Sequence, residues 1–285
     1  MGFFYFQARM QRTLFILLIL MGFGSQAQNF LSWKYSDRYF SLALGTGSAT
    51  YFGELNPSHK ISSVPKILSI GLEARLLNHF SARIEGARYQ LKADDSKARE
   101  GSFEQQRNLS FYSNNWEGNF QVIYYLKEYK GDYFRRWQWD PYVGIGAGIT
   151  SYNPARDLRG TTYYLRDLPT EPNKNYGVTS LVVPLTVGVK FKLNDFTNLN
   201  MEMGYRFTTT DYLDDVSTVY PDLSDQSIVL QDLANPKDLI KTVNVDAYQK
   251  MIPGAKRGDD SNKDSYMFLM LKLEVYLPST LFSGK

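Results

Sequence analysis

Asp211, Asp214, Asp215 and Asp222 cluster beside aromatic residues in a chain of 285 residues that has no cysteine. Clustered carboxylates offer the oxygen ligands that calcium prefers, yet the spacing is not that of an EF-hand loop. A solvated acidic rim is the plainer reading, ahead of a metal site, and a partner surface is the third. Asp259, Asp260 and Asp264 read as ordinary loop solvation. The two histidines, His59 and His79, fall singly in turn or loop sequence, without metal-motif spacing. Gly144, Gly146 and Gly148 look like half of a dinucleotide fingerprint, but no helix follows. Small residues at every second position instead make room for large side chains from neighbouring strands. No catalytic, metal or cofactor residue is assigned on these grounds, and no cofactor is expected.

The acidic cluster continues a segment of strict period two. Leu199, Met201, Met203, Tyr205 and Phe207 interleave with Asn200, Glu202, Gly204, Arg206 and Thr208, which is a β-strand with one apolar and one polar face. The same pattern recurs seven more times, over 39–51, 66–77, 80–91, 109–126, 140–152, 178–193 and 265–277. Several of these runs reach roughly 10–14 residues, beyond the 5–6 typical of globular sheets and enough for a tilted strand to cross a bilayer. Connections near Asn78, Lys127 and Asn194 are short to moderate, whereas those from Gly53, Lys92, Asn153 and Thr210 are long. Long loops on one side, short turns on the other and an even strand count predict an all-β, eight-stranded antiparallel transmembrane barrel. A soluble β-sandwich would also alternate, but strand length and loop asymmetry favour the membrane, where closure is required to satisfy edge groups.

Composition agrees. Aromatics make up 15% of the chain, led by 21 Tyr and 18 Phe, while a mean hydropathy of −0.35 excludes a bundle of membrane-spanning helices. Arg9 and Arg12 precede an apolar run from Leu14 to Phe23, and Ser25 and Ala27 end it. This is the layout of a Sec-type signal peptide, with 1–27 removed and 28–285 forming the barrel. Gln28 rather than cysteine after the cut argues against lipoprotein processing. The formal charge of +3 falls by two once Arg9 and Arg12 are lost, so nucleic acid is not an expected partner, and neither is a small-molecule substrate.

In an eight-stranded barrel the interior is filled by side chains. The polar faces place Glu73, Arg75, Arg83, Glu85, Glu117, Lys190, Lys192, Glu202, Arg206, Lys272 and Glu274 inward. Buried charges need partners, so Glu73, Arg75, Arg83, Glu85, Lys190, Glu202, Arg206, Lys272 and Glu274 are expected to form a structural ion-pair network; a proton relay or selectivity filter is the sharper alternative. The connector from Lys127 to Trp139 is basic and aromatic. Its Tyr129, Arg135, Arg136, Trp137 and Trp139 suit either an interfacial girdle or a periplasmic docking site.

Three segments carry a family resemblance: Tyr51-Phe-Gly-Glu-Leu-Asn-Pro57, Pro141-Tyr-Val-Gly-Ile-Gly-Ala-Gly148 running on to Asn153-Pro154, and Glu202-x-Gly204-Tyr-Arg206 leading into Thr210-Asp-Tyr-Leu-Asp-Asp-Val-Ser217. Together they resemble PorG, the small outer-membrane barrel of the type IX secretion system of Bacteroidota, over residues 39–277. The last run, with Thr210, Asp211, Tyr212, Asp214 and Asp215 as a signature at the barrel rim, is the most specific. The resemblance implies a non-enzymatic translocon component in the outer membrane. It would tie a periplasmic ring of PorK and PorN to that membrane and serve gliding where the host glides. Docking through Lys127–Trp139 and the tail Gln28–Arg38 is the expectation. Two other readings stand beside it: an OmpA-like structural or adhesin barrel, and a barrel enzyme acting on lipid A or as a protease. The enzyme would need a nucleophile and base that this chain could assemble only from distant loops.

Overall fold

The computed structural model describes residues 39–56, 65–131, 133–236 and 245–277. The signal segment, the Gln28–Arg38 tail and His59 lie outside the described residues. Eight long antiparallel strands form the wall: β1 (Tyr39–Phe52), β2 (Pro65–Arg75), β3 (Phe80–Asp94), β4 (Ser110–Tyr125), β5 (Trp139–Ser151), β8 (Thr179–Lys192), β9 (Thr197–Thr208) and β10 (Ser265–Leu277). A small hairpin, β6 (Ala155–Leu158) and β7 (Thr161–Tyr164), follows β5 in the chain and pairs to β4 at Tyr112↔Ala155. Each wall strand pairs with its sequence neighbour in the wall, and β1 pairs with β10 from Phe40↔Leu277 to Phe52↔Ser265. β3 against β4, from Phe80↔Tyr124 to Asp94↔Ser110, completes the ring. The fold is a closed eight-stranded antiparallel barrel. Closure leaves no wall strand with an unpaired edge. One gap in the ladder has a local cause: β5–β8 pairing lapses between Ile145↔Leu185 and Gly148↔Val182, where Pro184 has no N–H to donate.

Alternation sorts the two faces. Leu68, Ile84, Ile145, Leu181 and Met201 are exposed on the outside, whereas Glu73, Arg83, Gln121, Thr186 and Glu202 are buried inside. Register joins the outer residues into a continuous band, as in Leu72↔Ile84 and Ile84↔Phe120. Strands of 11–16 residues at about 3.3 Å per residue and a tilt near 40° make the wall tall enough for a hydrocarbon layer about 25–30 Å thick.

The turns at one end are short. At 193–196 the Asn194 side chain accepts from the backbone N–H groups of Phe196 and Thr197 at 2.9 and 3.0 Å, which fixes the reversal. The opposite end carries the long connections, and these are more ordered than their polar sequence suggests. β3 runs three residues past Leu91, and the stretch read as an open loop contains α1 (Phe103–Arg107), capped by Ser102 and ended by Asn108 at φ 55°. The β6–β7 hairpin turns through Arg159 and Gly160, both at positive φ. α2 (Ile228–Ala234) and α3 (Val245–Gln249) lie within the connection from β9 to β10.

Candidate functional site

Three zones carry the residues singled out from sequence. The first is the lumen toward the short-turn end. Arg83 donates to Glu73 at 3.0 Å and to Glu202 at 2.6 Å, and Lys272 bridges Glu202 at 2.8 Å and Glu85 at 2.5 Å. Lys190 joins Glu73 at 3.0 Å to Glu274 at 2.8 Å. The result is one chain of alternating charge, Glu274–Lys190–Glu73–Arg83–Glu202–Lys272–Glu85, drawn from β2, β3, β8, β9 and β10. Arg206 stands apart. Its guanidinium lies 3.5 Å from Glu117 and 4.1 Å from the Phe268 ring centroid.

Tyrosines belong to this network, although sequence reasoning left them out. The hydroxyl of Tyr142 donates to Glu202 at 2.8 Å, that of Tyr266 to Glu117 at 2.6 Å, and that of Tyr125 to Glu73. Their parity in the alternation was the available signal, since all three fall in phase with the inward charges. Gly188 leaves room for the Tyr142 ring, and Gly204 for the Arg206 guanidinium; a Cβ at either position would collide with them. Two assignments need correcting. Arg75 donates to the carbonyls of Leu77 and Asn78, at 3.2 and 2.7 Å, rather than to a carboxylate, because it sits where β2 turns. Lys192 sits at the strand end and pairs with Asp195 at 3.0 Å in the turn.

The second zone is the short-turn face. Arg136 is consumed internally: its guanidinium donates to Asn198, Asp195, Thr197 and Tyr133, which clamps the 126–138 connector onto the 193–197 turn. Tyr129 packs against Tyr39 at 5.6 Å. Arg135, Trp137 and Trp139 are exposed, with Lys127 3.2 Å from the Trp139 ring centroid and Lys130 3.6 Å from that of Trp137. A shallow cavity of about 20 Å³ enters the lumen here, lined by Tyr39, Arg75, Tyr125 and Lys190 among others.

The third zone is the long-loop end, where the acidic signature is not a solvated rim. Asp211, Asp214 and Asp215 are 3%, 1% and 0% exposed, and Asp264 is 2% exposed. Burial follows because the run from Thr210 to Ser217 is the seam on which the long connections meet. Asp215, at φ 70°, accepts from Lys174 and Tyr176 at 2.6 Å each, and also from Thr170. Tyr212 stacks on Tyr176 at 4.5 Å. Ser217 and Thr218 donate backbone N–H groups to Glu171, which is held by Arg257 at 2.8 Å. Thr210 accepts from the Asp264 N–H at 3.0 Å, closing the base of the connection from β9 to β10.

Asp214 and Asp264 both lie 2.7 Å from the Tyr51 hydroxyl, which can donate its single hydrogen to one of them. Burial raises the Asp264 carboxyl well above its ordinary range, with Glu54 adding repulsion. Burial and then repulsion from Asp264 and Glu54 do the same to Asp214. Burial pushes Asp211 up to about 7, opposed by the hydrogen bond that Ser217 donates. Beneath the seam, Leu213, Val216, Tyr51, Phe111, Tyr266 and Phe268 form an apolar core that runs from the loops into the barrel mouth.

A closed barrel with an apolar outer band and an interior packed by its own paired charges defines a β-barrel of the transmembrane class. Within that class, residues 15–232 match the family described as "Domain of unknown function (DUF6089)", and the chain belongs to it. No curated protein matches the chain. Among solved structures, Neisserial surface protein A is 13% identical over 84% of this chain and 96% of its own, with a TM-score of 0.39. A major outer membrane protein from Thermus thermophilus is 12% identical over 84% and 99%, with a TM-score of 0.40. The outer membrane enzyme PagL is 8% identical over 82% and 98%, with a TM-score of 0.31. At these values the likenesses transfer no residue role to this chain.

Proposed function

We propose that this chain is a PorG-type outer-membrane component of the type IX secretion system, a filled barrel that anchors a PorK/PorN-like periplasmic ring rather than a pore. The observation that carries the reading is the lumen. Five carboxylates (Glu73, Glu85, Glu117, Glu202, Glu274) meet four cations (Arg83, Lys190, Arg206, Lys272), while Arg75 turns to carbonyls at the strand end; all are buried, and an apolar core follows above them. A neutral, packed interior supplies neither a path nor a selective field for a solute, which leaves the two faces to act. The exposed Trp137, Trp139 and Arg135 surface supports docking at the periplasmic side, with the long-loop cap outside. In this reading the apolar band sits in the outer membrane after a Sec-type signal is removed.

Deleting the gene and measuring export of a secreted cargo, together with ring recovery in the outer-membrane fraction, tests the proposal. Loss of both is the expected outcome. Normal secretion with a normally anchored ring overturns it, and a deletion that instead alters the lipid A mass spectrum would favour an enzyme.

A further inference from the structure

We propose that Glu54, Asp211 and Asp264, backed by Asp214, form a calcium site that clips the long-loop cap to the barrel mouth. Glu54, Asp211 and Asp264 each present a carboxylate oxygen within 4.8 Å of the others. Asp214 is tied to the group through Tyr51, whose hydroxyl oxygen lies 2.7 Å from both Asp214 and Asp264 and can donate its one hydrogen to either. Carboxylates gathered this closely, most of them buried, require a compensating charge. Among the described residues no Lys, Arg or His nitrogen is in ion-pair contact with any of the four. Arg107 is engaged by Asp95 at 2.7 Å, and Lys263 donates to the Asp260 carbonyl. The lumen network gives every chain carboxylate such a partner, so the contrast within one molecule is sharp.

A second observation points at a ligand. Asp211 is 3% exposed, and its Oδ2 accepts from Ser217 at 2.7 Å, yet its Oδ1 is buried without any hydrogen-bond partner. A bare buried carboxylate oxygen beside two further carboxylates is the donor a hard cation takes. Calcium, with oxygens at about 2.3–2.6 Å, spans ligands up to roughly 4.6–5.2 Å apart, whereas magnesium at about 2.0–2.1 Å needs them nearer and in a stricter octahedron. Oxygen-only donors also exclude a soft-metal preference.

The ligands come from three points of the chain. Glu54 lies just after β1, Asp211 just after β9, and Asp264 immediately before β10. An ion held by all three closes both ends of the 209–264 connection onto the first loop. Ion binding that occurs only in the closed arrangement stabilises the cap by mass action.

The test uses the full chain, folded in detergent and stripped with chelator, and titrated with Ca²⁺ alone, Mg²⁺ alone, and Tb³⁺ as a luminescent stand-in. Tyr51 lies beside the proposed site, so excitation of tyrosine should sensitise Tb³⁺, and Ca²⁺ should displace that signal with a dissociation constant on the order of 10⁻⁴–10⁻³ M, as in extracellular calcium modules. D211N should weaken Ca²⁺ binding at least tenfold. E54Q, at the less buried ligand, should also weaken it at least tenfold, which keeps the test decisive if D211N fails to fold. Protection of the 209–264 segment from trypsin should rise with Ca²⁺ in the wild type and not in E54Q. Absence of Ca²⁺-dependent signal at 10 mM, equal response to Mg²⁺, or wild-type binding by E54Q overturns the proposal.

Discussion

Replacing Glu202 by glutamine removes one charge and almost no volume from the most connected point of the lumen. Glu202 accepts from Arg83 at 2.6 Å, Lys272 at 2.8 Å and Tyr142 at 2.8 Å. Breaking a buried pair from one side costs about 3–5 kcal/mol because the other charge stays behind uncompensated. Here each abandoned cation keeps a second carboxylate, Glu73 for Arg83 and Glu85 for Lys272, so the loss should fall near the lower end, about 3 kcal/mol. K272M alone should cost about as much, since it leaves Glu85 only the longer Arg83 contact at 3.9 Å and removes one of Glu202's two cations. The double variant restores charge balance, so the two losses should not add, with a coupling of at least about 1.5 kcal/mol. Urea unfolding in vesicles, followed by tryptophan fluorescence and heat-dependent gel mobility, measures all three. A loss under about 1 kcal/mol in E202Q, or strict additivity in the double variant, refutes the view that these charges are mutually neutralising rivets across the barrel.

Other outcomes follow from the same geometry. G188V forces a side chain into the Tyr142 ring and should lower barrel stability by about 1–3 kcal/mol in the same assay. D215A removes the acceptor for Lys174, Tyr176 and Thr170; trypsin should open the 152–178 connection faster while the barrel's unfolding midpoint holds. Without divalent cations the cap should loosen as pH rises. The folded pKa of Asp211, about 7 against an ordinary 3.8, means the folded cap binds more protons than the open one across that window. Its stabilisation is therefore present at low pH and lost as pH climbs through 7. Proteolysis from pH 5 to 8 in chelator reads this, and unchanged or slower cleavage at pH 8 contradicts it. On the docking proposed above, the pair W137A and W139A should leave unfolding within about 0.5 kcal/mol of wild type yet reduce capture of a PorK/PorN-like ring at least tenfold.

The wall was legible because period two is a local property. Leu199 to Thr208 shows its two faces without reference to any partner strand, and strand length with loop asymmetry then restricts the closure. Inward charge was legible for the same reason, but pairing was not. That Arg83 reaches Glu202 across the barrel, or that Arg75 turns to carbonyls at its strand end, depends on register between distant strands. The cap was least legible. Asp211, Asp214 and Asp215 look solvated by composition, and nothing local says that Glu171, Lys174 and Arg257 will arrive around them from far along the chain. The turn at Arg159-Gly160 was missed because arginine at positive φ is not a usual hairpin signal.

The two ends of the interior use the same side chains to opposite effect. In the lumen, each carboxylate of the linked network has a lysine or arginine fixed against it by strand register, so protons and ions from solvent have little to add. At the cap, Glu54, Asp211, Asp214 and Asp264 lack ion-pair partners among the described residues, so their charge must be answered by something that comes and goes. Conditions that leave the wall untouched should therefore open or close the cap. Such a division suits the tether proposed above: the wall must hold constantly, while the cap can respond to its ionic surroundings. A barrel whose wall and cap melted together across calcium concentration and pH would contradict this division.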